Sequence, residues 1–203
     1  MNLSKTIRCP DFPCTDVDTK AFSIPDISIN PERIRILMIA EAPPSNSADY
    51  FYSSGSPFYL ETTLNAFNDA GVAVSSMQDI IDSGIYLTTA IKCGKIGYGV
   101  SAATINNCSQ IILEDELSHF PNIQAYLLMG DVAIKAFNYI VKRAIGKRVI
   151  PSGSTYKIRK DTYHYKEKQV FPSYLMTGKS YLIEKSKQRM IAEDIRNALA
   201  LLK

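Results

Sequence analysis

The most constraining feature of the sequence is a short apolar run that ends abruptly at an acid and two prolines. Residues 34–39 are long enough for one strand, and their near-continuous aliphatic character is typical of a strand buried on both faces of a parallel sheet. Pro43 and Pro44 cannot extend a sheet ladder, so the chain leaves the sheet there. Glu41 is therefore expected at the carboxyl end of a strand, where open α/β sheets bind ligands. The alternative is a carboxylate that caps a loop or a neighbouring helix.

Short apolar strands and helix-like segments alternate along the rest of the chain. This alternation predicts a three-layer α/β/α sandwich with a mainly parallel, four-stranded central sheet. Pro172 is expected at a sheet edge or a strand terminus. The predicted strands are 34–39, 85–88, 123–129 and 170–174, with 148–150 as a short further candidate, and the predicted helices begin near Phe58, Ser101 and Asp131 or close the chain at 191–202.

Length and composition are those of an ordinary globular domain. The 203 residues are 46% hydrophobic and 21% charged, which is enough for one sizeable core. We expect a single domain over residues 1–203, in which the Pro-, Asp- and Ser-rich residues 1–33 form a loop-like N-terminal segment. Neither a membrane-length apolar stretch nor a signal-peptide pattern is present in the sequence, so a cytoplasmic monomer without membrane contact is expected.

The net charge of +3 is distributed unevenly. Residues 142–189 contain thirteen basic and three acidic residues, a net charge of +10, which leaves −7 for the rest of the chain. A basic stretch of this size favours a polyanion-binding face, and nucleic acid is the simplest polyanion. A solvated loop surface is the alternative.

The four cysteines are grouped in a way that suggests a ligand set. Cys9 and Cys14 lie in one proline-containing loop, Cys93 follows a predicted strand, and Cys108 follows after fourteen further residues on a predicted helix. Structural disulfides are rare in the cytosol, whereas four thiolates can hold either zinc or an iron–sulfur cluster. Such a site would also fix the N-terminal segment. Unrelated buried thiols are the alternative.

Four short motifs follow one another along the chain. They are Ala-Glu-Ala-Pro-Pro at 40–44, Gly-Ser-Pro-Phe at 55–58, Thr-Thr-Ala-Ile-Lys-Cys at 88–93 and Val-Phe-Pro-Ser-Tyr at 170–174. Their order resembles the uracil-DNA glycosylase superfamily, specifically its iron–sulfur branch, family 4. That branch has Gly-Glu-Ala-Pro-Gly, Gly-x-Pro-Phe, Thr-Asn-x-x-Lys-Cys and Val-Phe-Pro-Thr-Tyr in these places. The position of Cys108, the strand–Gly turn at 129–133 and the acidic residues of the last helix also fit, so the resemblance spans nearly the whole chain.

The resemblance implies a function in DNA repair by base excision, namely hydrolysis of the N-glycosidic bond of uracil or another deaminated base in DNA. Glu41 would then orient a water molecule or stabilise the sugar cation. Phe58 would stack on a flipped base, with the rest of the base pocket formed by Ala40, Ala42, Thr89, Tyr174 and Leu175. The DNA phosphates would be held by Lys92, Lys179, Lys185, Lys187 and Arg189. A [4Fe–4S] cluster, or alternatively zinc, would be held by Cys9, Cys14, Cys93 and Cys108.

The chain departs from the family pattern where the chemistry takes place. The family's Tyr is followed by His, whereas Tyr174 is followed by Leu175, which has no donor for a departing base. The family's uracil-reading Asn is Thr89, whose single hydroxyl cannot pair with both polar edges of uracil. His164 is a candidate replacement for the missing donor. A nucleic-acid- or base-binding protein that keeps the fold and the cluster without excising a base is therefore the alternative function.

Overall fold

The computed structural model describes residues 1–97, 99–182 and 184–202. In chain order its strands are β1 (Val17–Asp18), β2 (Ile36–Ala40), β3 (Ile85–Thr89), β4 (Gly94–Lys95), β5 (Ala125–Met129), β6 (Tyr163–Tyr165) and β7 (Lys168–Ser173). Its helices are α1 (Phe58–Asp69), α2 (Met77–Asp82), α3 (Ala102–Cys108), α4 (Glu114–Ser118), α5 (Asp131–Ile145), α6 (Thr155–Ile158), α7 (Lys179–Leu182) and α8 (Lys185–Leu199). Within these residues no helix has the length and apolar character needed to cross a bilayer.

The central sheet has five strands in the order β3-β2-β5-β7-β6. The first four strands run parallel and β6 pairs antiparallel with β7. Every residue of β2, β3 and β5 is buried, because helices cover both faces of a parallel sheet. The α/β class and the mainly parallel sheet are thus confirmed, and the carboxyl ends of four strands meet at one edge.

Helices lie on both sides of this sheet. On one side α5 packs against β5 and β2 and against the helical segment that runs from α3 through a π-helical turn at Ser109–Leu113 into α4. Elsewhere in the fold α8 packs against β5 and β7, and it also contacts α1. The predicted N-cap at Ser101 is confirmed, because its hydroxyl accepts a hydrogen bond from the backbone N–H of Thr104.

The sheet differs from the prediction in two places. The predicted count of four strands was wrong, because Tyr163–Tyr165 forms the antiparallel edge strand β6. Residues 148–150 form no strand, since Asn138 on α5 satisfies their backbone: its side-chain oxygen accepts from the N–H groups of Val149 and Ile150. Pro172 does lie near the end of β7, beyond the residues that pair with β6.

The N-terminal segment is tied to the domain by a second, two-stranded sheet. β1 pairs antiparallel with β4, and the register places Val17 opposite Lys95 and Asp18 opposite Gly94. The backbones approach closely there, because a Cβ atom on Gly94 would lie 2.8 Å from the Cβ of Ala21. The glycine-containing segment after Cys93 therefore has a fixed path, which brings the loop of Cys9 and Cys14 beside it.

Candidate functional site

A cavity of about 550 Å³ opens at the carboxyl edge of the central sheet. This volume is typical of small-ligand sites, and the position is the one at which open α/β sheets bind their ligands. Four separate segments of the chain contribute to its wall: the loop after β2, the start of α1, the region of β4 and the loop after β7. The lining residues are Glu41, Ala42, Pro43, Pro44, Ser45, Asn46, Asp49, Phe58, Tyr59, Lys95, Ile96, Gly97, Leu175, Thr177, Gly178 and Lys179.

Glu41 occupies the place that the sequence predicted, directly after β2. A Cβ atom on Gly130 would lie 2.6 Å from Glu41 Oε1, so the carboxylate needs the space that the glycine leaves. Gly130 has φ +93° and precedes the fifteen-residue helix α5. The carboxylate therefore lies beside the positive end of a helix dipole, which favours its negative charge.

Lys95 is the charged partner of Glu41. Its ammonium lies 3.5 Å from Glu41 Oε2, and the side chains of the lysine and the glutamate are 27% and 18% exposed. β4 carries Lys95 into the cavity wall, two residues after Cys93. The path of this segment is set by the pairing of β4 with β1, so the position of Lys95 depends on the same contacts that hold the N-terminal segment.

Aromatic side chains and the loop after β7 form the other side of the cavity. Phe58 and Tyr59 begin α1, and the loop approaches so closely that a Cβ on Gly178 would lie 3.1 Å from the Tyr59 ring. The Gly178 N–H donates to Thr62 Oγ1 at 3.2 Å, which fixes this approach. Burial, together with the carboxylates of Glu41 and Asp49, raises the pKa of Tyr59, so its hydroxyl remains a donor at neutral pH.

Two of the predicted base contacts lie behind the wall rather than in it. Ala40 and Thr89 have no exposed surface and do not line the cavity. Thr89 Oγ1 and Tyr50 Oη are buried without a hydrogen-bond partner among the described residues. The structure therefore places Thr89 near the site without giving its hydroxyl access to a ligand.

The prediction that Lys92 contacts a phosphate was wrong. Its side chain is fully buried, and its ammonium forms an ion pair with Glu116 on α4. The ammonium also donates to Thr88 Oγ1 and to the Thr89 carbonyl oxygen, each at 2.6 Å. Glu116 accepts two further hydrogen bonds, from Tyr86 Oη at 2.9 Å and from Thr88 Oγ1 at 2.8 Å. Lys92 is thus part of a buried polar network and cannot reach DNA.

The other predicted phosphate contacts are spread over different surfaces. Lys179 lines the Glu41 cavity, whereas Lys185 and Arg189 line a separate cleft beside Asp69. Lys187 pairs with Glu184 at 2.9 Å, and its ammonium lies 5.4 Å from the centre of the Tyr174 ring.

Tyr174 and His164 lie away from the cavity wall. The ring of Tyr174 is half-buried beneath the Lys187 ammonium and does not line the Glu41 cavity. His164 lies in β6, opposite Gln169, and lines a different surface depression. His164 therefore does not line the Glu41 cavity, and it pairs with Gln169 near the start of β7, whereas Leu175 follows the end of that strand.

The four cysteines, which the sequence predicted to be a ligand set, line one small cavity with apolar walls. All four are free thiols, with Cys93 and Cys108 buried and the other two partly exposed. In the described part of the chain, no three His, Cys, Asp or Glu side chains stand in the arrangement of a preformed metal site. The chemistry of the donor set, four sulfurs from three segments facing one cavity, fits a cluster or a thiolate-bound metal.

The thiols are close enough to influence one another. Burial, together with the nearby sulfurs of Cys108, Cys9 and Cys14, raises the pKa of Cys93 to about 12. Burial also raises the pKa of Cys108 to about 11, against the opposing effects of the Lys92 charge and a hydrogen bond from the Lys92 backbone. A metal or cluster would therefore have to displace protons from these sulfurs, so its binding should become more favourable as pH rises.

Asp16 connects the N-terminal segment to the helix that carries Cys108. Its carboxylate accepts a hydrogen bond from the Ser101 N–H at 2.6 Å and another from Thr104 Oγ1. These bonds, the one from Thr104 first, lower the pKa of Asp16. The contact spans 85 residues of sequence, so it fixes Cys14 relative to Cys108 as well as capping α3.

Several site residues were missed by sequence reasoning. Gly130 was recognised as a turn but not as the residue that makes room for Glu41, although a Gly directly after a buried strand was the available signal. Lys95 and Tyr59 were not identified at all. Lys95 lies among glycines that are typical of a flexible connector, and nothing local indicates the pairing of its segment with β1.

The sequence matches no model of a known protein family, and no curated protein matches it at a significant level. The likeness to glycosylases therefore rests on the motifs themselves.

Proposed function

We propose that the Glu41 cavity is the base-excision site of a DNA glycosylase-like protein that acts on uracil or another deaminated base. The observation that carries this proposal is the convergence of Glu41, Phe58 and Leu175 on one cavity. Glu41 and Phe58 belong to two of the motifs, Leu175 directly follows a third, and the cavity lies at the ligand-binding edge of the sheet.

The carboxylate of Glu41 would be the main catalytic group of the reaction. A flipped base enters the cavity and stacks on Phe58, whose ring forms part of the wall. Glu41 accepts a proton from a water molecule that attacks C1′ of the sugar, and its negative charge stabilises the positive charge that develops on the sugar. The C1′–N bond breaks and its electron pair leaves with the base. Lys179, at the cavity rim, would hold an adjacent phosphate.

The four cysteines would hold a [4Fe–4S] cluster in this proposal, with zinc as the alternative. A cluster held by Cys9, Cys14, Cys93 and Cys108 would supply covalent cross-links between three segments of the chain. The protein's own contribution is to hold these segments together, through the β1–β4 pairing and through Asp16. No step of the excision reaction needs to pass through the cluster.

A second function is favoured by the residues that the cavity lacks. Leu175 lines the wall without a hydrogen-bond donor, and Thr89 is enclosed behind it. A pocket of this kind could bind a flipped base by stacking without cleaving its bond. The alternative is therefore a protein that binds DNA, or a base within it, and performs no excision.

A cleavage assay separates the two functions. Anaerobically purified protein would be mixed with oligonucleotides that contain uracil, hypoxanthine or xanthine, and abasic sites would be counted. We expect cleavage of at least one substrate by the wild type, loss of that activity in Glu41→Gln, and wild-type activity in the matched surface control Glu32→Gln, whose side chain is exposed. Salt-sensitive binding without cleavage would establish the binding function and contradict excision.

A further inference from the structure

Leu175 lines the cavity where a donor is expected after β7, yet a cation, Lys95, also lines it. When the C1′–N bond breaks, negative charge develops on the departing base, and a donor aimed at that charge contributes about 10²–10³-fold in rate. Leu175 cannot provide this donor. Lys95 lines the same cavity, and its ammonium lies 3.5 Å from the carboxylate that would activate the water.

We propose that Lys95 is a catalytic residue whose ammonium donates to a carbonyl oxygen of the departing base and stabilises its negative charge. This inference rests on the excision function proposed above and names the group that replaces the missing donor. It also defines the substrate class: a base with a carbonyl oxygen next to the glycosidic nitrogen, as in uracil and other oxidised or deaminated pyrimidines.

Lys95 fits this role better than the other lysine of the cavity. The side chain of Lys95 is 27% exposed and fixed by its ion pair, whereas Lys179 is exposed at the rim. Lys95 also belongs to β4, whose backbone is held by β1 and by the close contact of Gly94 with Ala21. A preorganised charge of this kind stabilises a transition state without the free-energy cost of ordering a flexible side chain.

The ion pair with Glu41 makes the stabilisation selective for the transition state. In the resting protein the carboxylate offsets the charge of the ammonium. As the C1′–N bond breaks, the bonding electron pair moves onto the base and negative charge develops next to the ammonium, while the positive charge of the sugar develops next to Glu41. The water that attacks C1′ then passes its proton to Glu41. Glu41 then releases this proton and the departed base takes one up from solvent, so the products are the abasic sugar and the neutral base and the carboxylate is restored. The attraction therefore grows as the reaction proceeds, which is what lowers a barrier.

The kinetic test compares uracil with 5-fluorouracil in DNA under single-turnover conditions. Fluorine stabilises the base anion, so a 5-fluorouracil substrate depends less on a cation in the protein. We expect Lys95→Met to lower the rate on uracil by about 10²–10³-fold and on 5-fluorouracil by clearly less. Lys95→Arg should retain part of the activity, and Lys5→Met, a change at an exposed N-terminal lysine, should leave both rates unchanged. Equal losses on the two substrates, or no loss, would refute the role.

A binding measurement keeps this inference separable from the excision function. Free 5-fluorouracil would be titrated into wild-type and Lys95→Met protein as pH is raised through the ionisation of the base. The wild type should bind the anionic base more tightly than the neutral base, and Lys95→Met should lose this preference. If the wild type cleaves no substrate, the excision function fails and this titration still decides the role of Lys95: a preference that is equal in both proteins, or absent from both, refutes it.

Discussion

The cysteine cavity and the Glu41 cavity differ in how far their residues agree with what the motif resemblance led us to expect. All four predicted ligand positions face the cysteine cavity, and the segments that carry them are fixed by the β1–β4 pairing and by Asp16. The Glu41 cavity keeps its carboxylate and its aromatic residue, whereas the position of the expected donor is occupied by Leu175. The residues that hold the segments of a fold together and the polar groups that would select a substrate are therefore different residues, and each set can be varied without the other.

A single short segment of the chain contributes to both cavities. Cys93 lines the first and Lys95 the second, and a single residue, Gly94, separates them. The strand pairing that holds the cysteine segment therefore also sets the position of the cation beside Glu41. This arrangement predicts that damage to the cysteine cavity affects stability first and the Glu41 cavity second, whereas damage at Glu41 leaves stability intact.

The largest effect is expected from Cys93→Ser. If a cluster links three segments, losing one ligand should abolish its visible absorbance and lower the free energy of unfolding by about 4–5 kcal/mol, the range associated with loss of a structural metal. For a chain of this size the melting temperature should fall by about 10–20 °C. Absorbance spectra and thermal unfolding of anaerobically purified protein would measure both effects.

Asn107→Ser is the control for this experiment, because Asn107 lines the same cavity without a thiol. It should keep both absorbance and stability. A colourless wild-type protein that contains one tightly bound zinc ion would support the alternative metal. A Cys93→Ser protein as stable as the wild type would show that the four thiols carry no structural ligand.

Lys92→Met should have the next largest effect. It leaves Glu116 as an uncompensated buried charge, so we expect the free energy of unfolding to fall by about 3–5 kcal/mol in urea denaturation. The double variant Lys92→Met/Glu116→Leu should recover much of that loss, because both charges are then gone.

Lys179→Met provides the contrast to Lys92→Met. Lys179 is exposed at the rim of the Glu41 cavity, so its loss should leave stability unchanged and lower the slope of log affinity against log salt by about 0.9 for duplex DNA. A Lys92→Met protein that is fully stable but binds DNA weakly would restore the original phosphate-contact prediction and contradict the buried network.

Gly130→Ala should affect the Glu41 cavity more than the fold. The added Cβ would lie 2.6 Å from Glu41 Oε1 and force the carboxylate to move. Misplacement of a reacting group by about 1 Å costs on the order of 10²-fold in rate, and the backbone strain at φ +93° costs about 1–3 kcal/mol. Single-turnover cleavage and urea denaturation would measure the two effects.

Gly71→Ala is the control that separates the effect of backbone strain from the effect of the contact between an added Cβ and Glu41. Gly71 has φ +82°, and a Cβ there meets no atom within 4 Å. This variant should lose comparable stability while keeping full activity. If Gly130→Ala retained wild-type activity, the carboxylate of Glu41 would have to be unimportant or free to move.

The smallest effect is expected from Asp16→Asn. Because its hydrogen bonds from Thr104 and Ser101 lower the pKa of Asp16 in the folded protein, the carboxylate stabilises the fold above its unfolded pKa of about 3.9. That stabilisation is lost as pH falls through the lower folded pKa. The variant should therefore lose about 1 kcal/mol at pH 7 and converge with the wild type in acid.

Stability curves from pH 7 to pH 3 would test this, with Asp11→Asn as the control. Asp11 lies in the same segment and is exposed. A constant difference between Asp16→Asn and the wild type across the whole pH range would contradict the role assigned to the carboxylate.

The sequence was sufficient for features that depend on local pattern. The aliphatic run before Glu41 identified β2, and the carboxyl-edge rule then placed the acid correctly, because parallel strands bring their ends to one edge. Proline and glycine positions likewise located the start of α1 and the turn into α5. Each of these features is decided by residues within a few positions of one another.

The features that sequence reasoning missed depend on partners far along the chain. Lys92 is buried in an ion pair with Glu116, which lies 24 residues further along the chain on α4. Lys95 lines the cavity because β4 pairs with β1. Residues 148–150 stay out of the sheet because their backbone forms hydrogen bonds with the side chain of Asn138 instead. Nothing in the immediate neighbourhood of these residues specifies such contacts, so spacing and composition could not predict them.

A crystal structure of Glu41→Gln bound to a uracil-containing oligonucleotide would test the proposed excision site most directly. The variant should bind substrate without cleaving it. We expect the uracil to be flipped into the cavity against Phe58, with C1′ facing residue 41 and the Lys95 ammonium within hydrogen-bonding distance of a uracil oxygen. A complex in which every base stays stacked, or in which the DNA lies on a surface away from this cavity, would show that the Glu41 cavity is not a base-excision site.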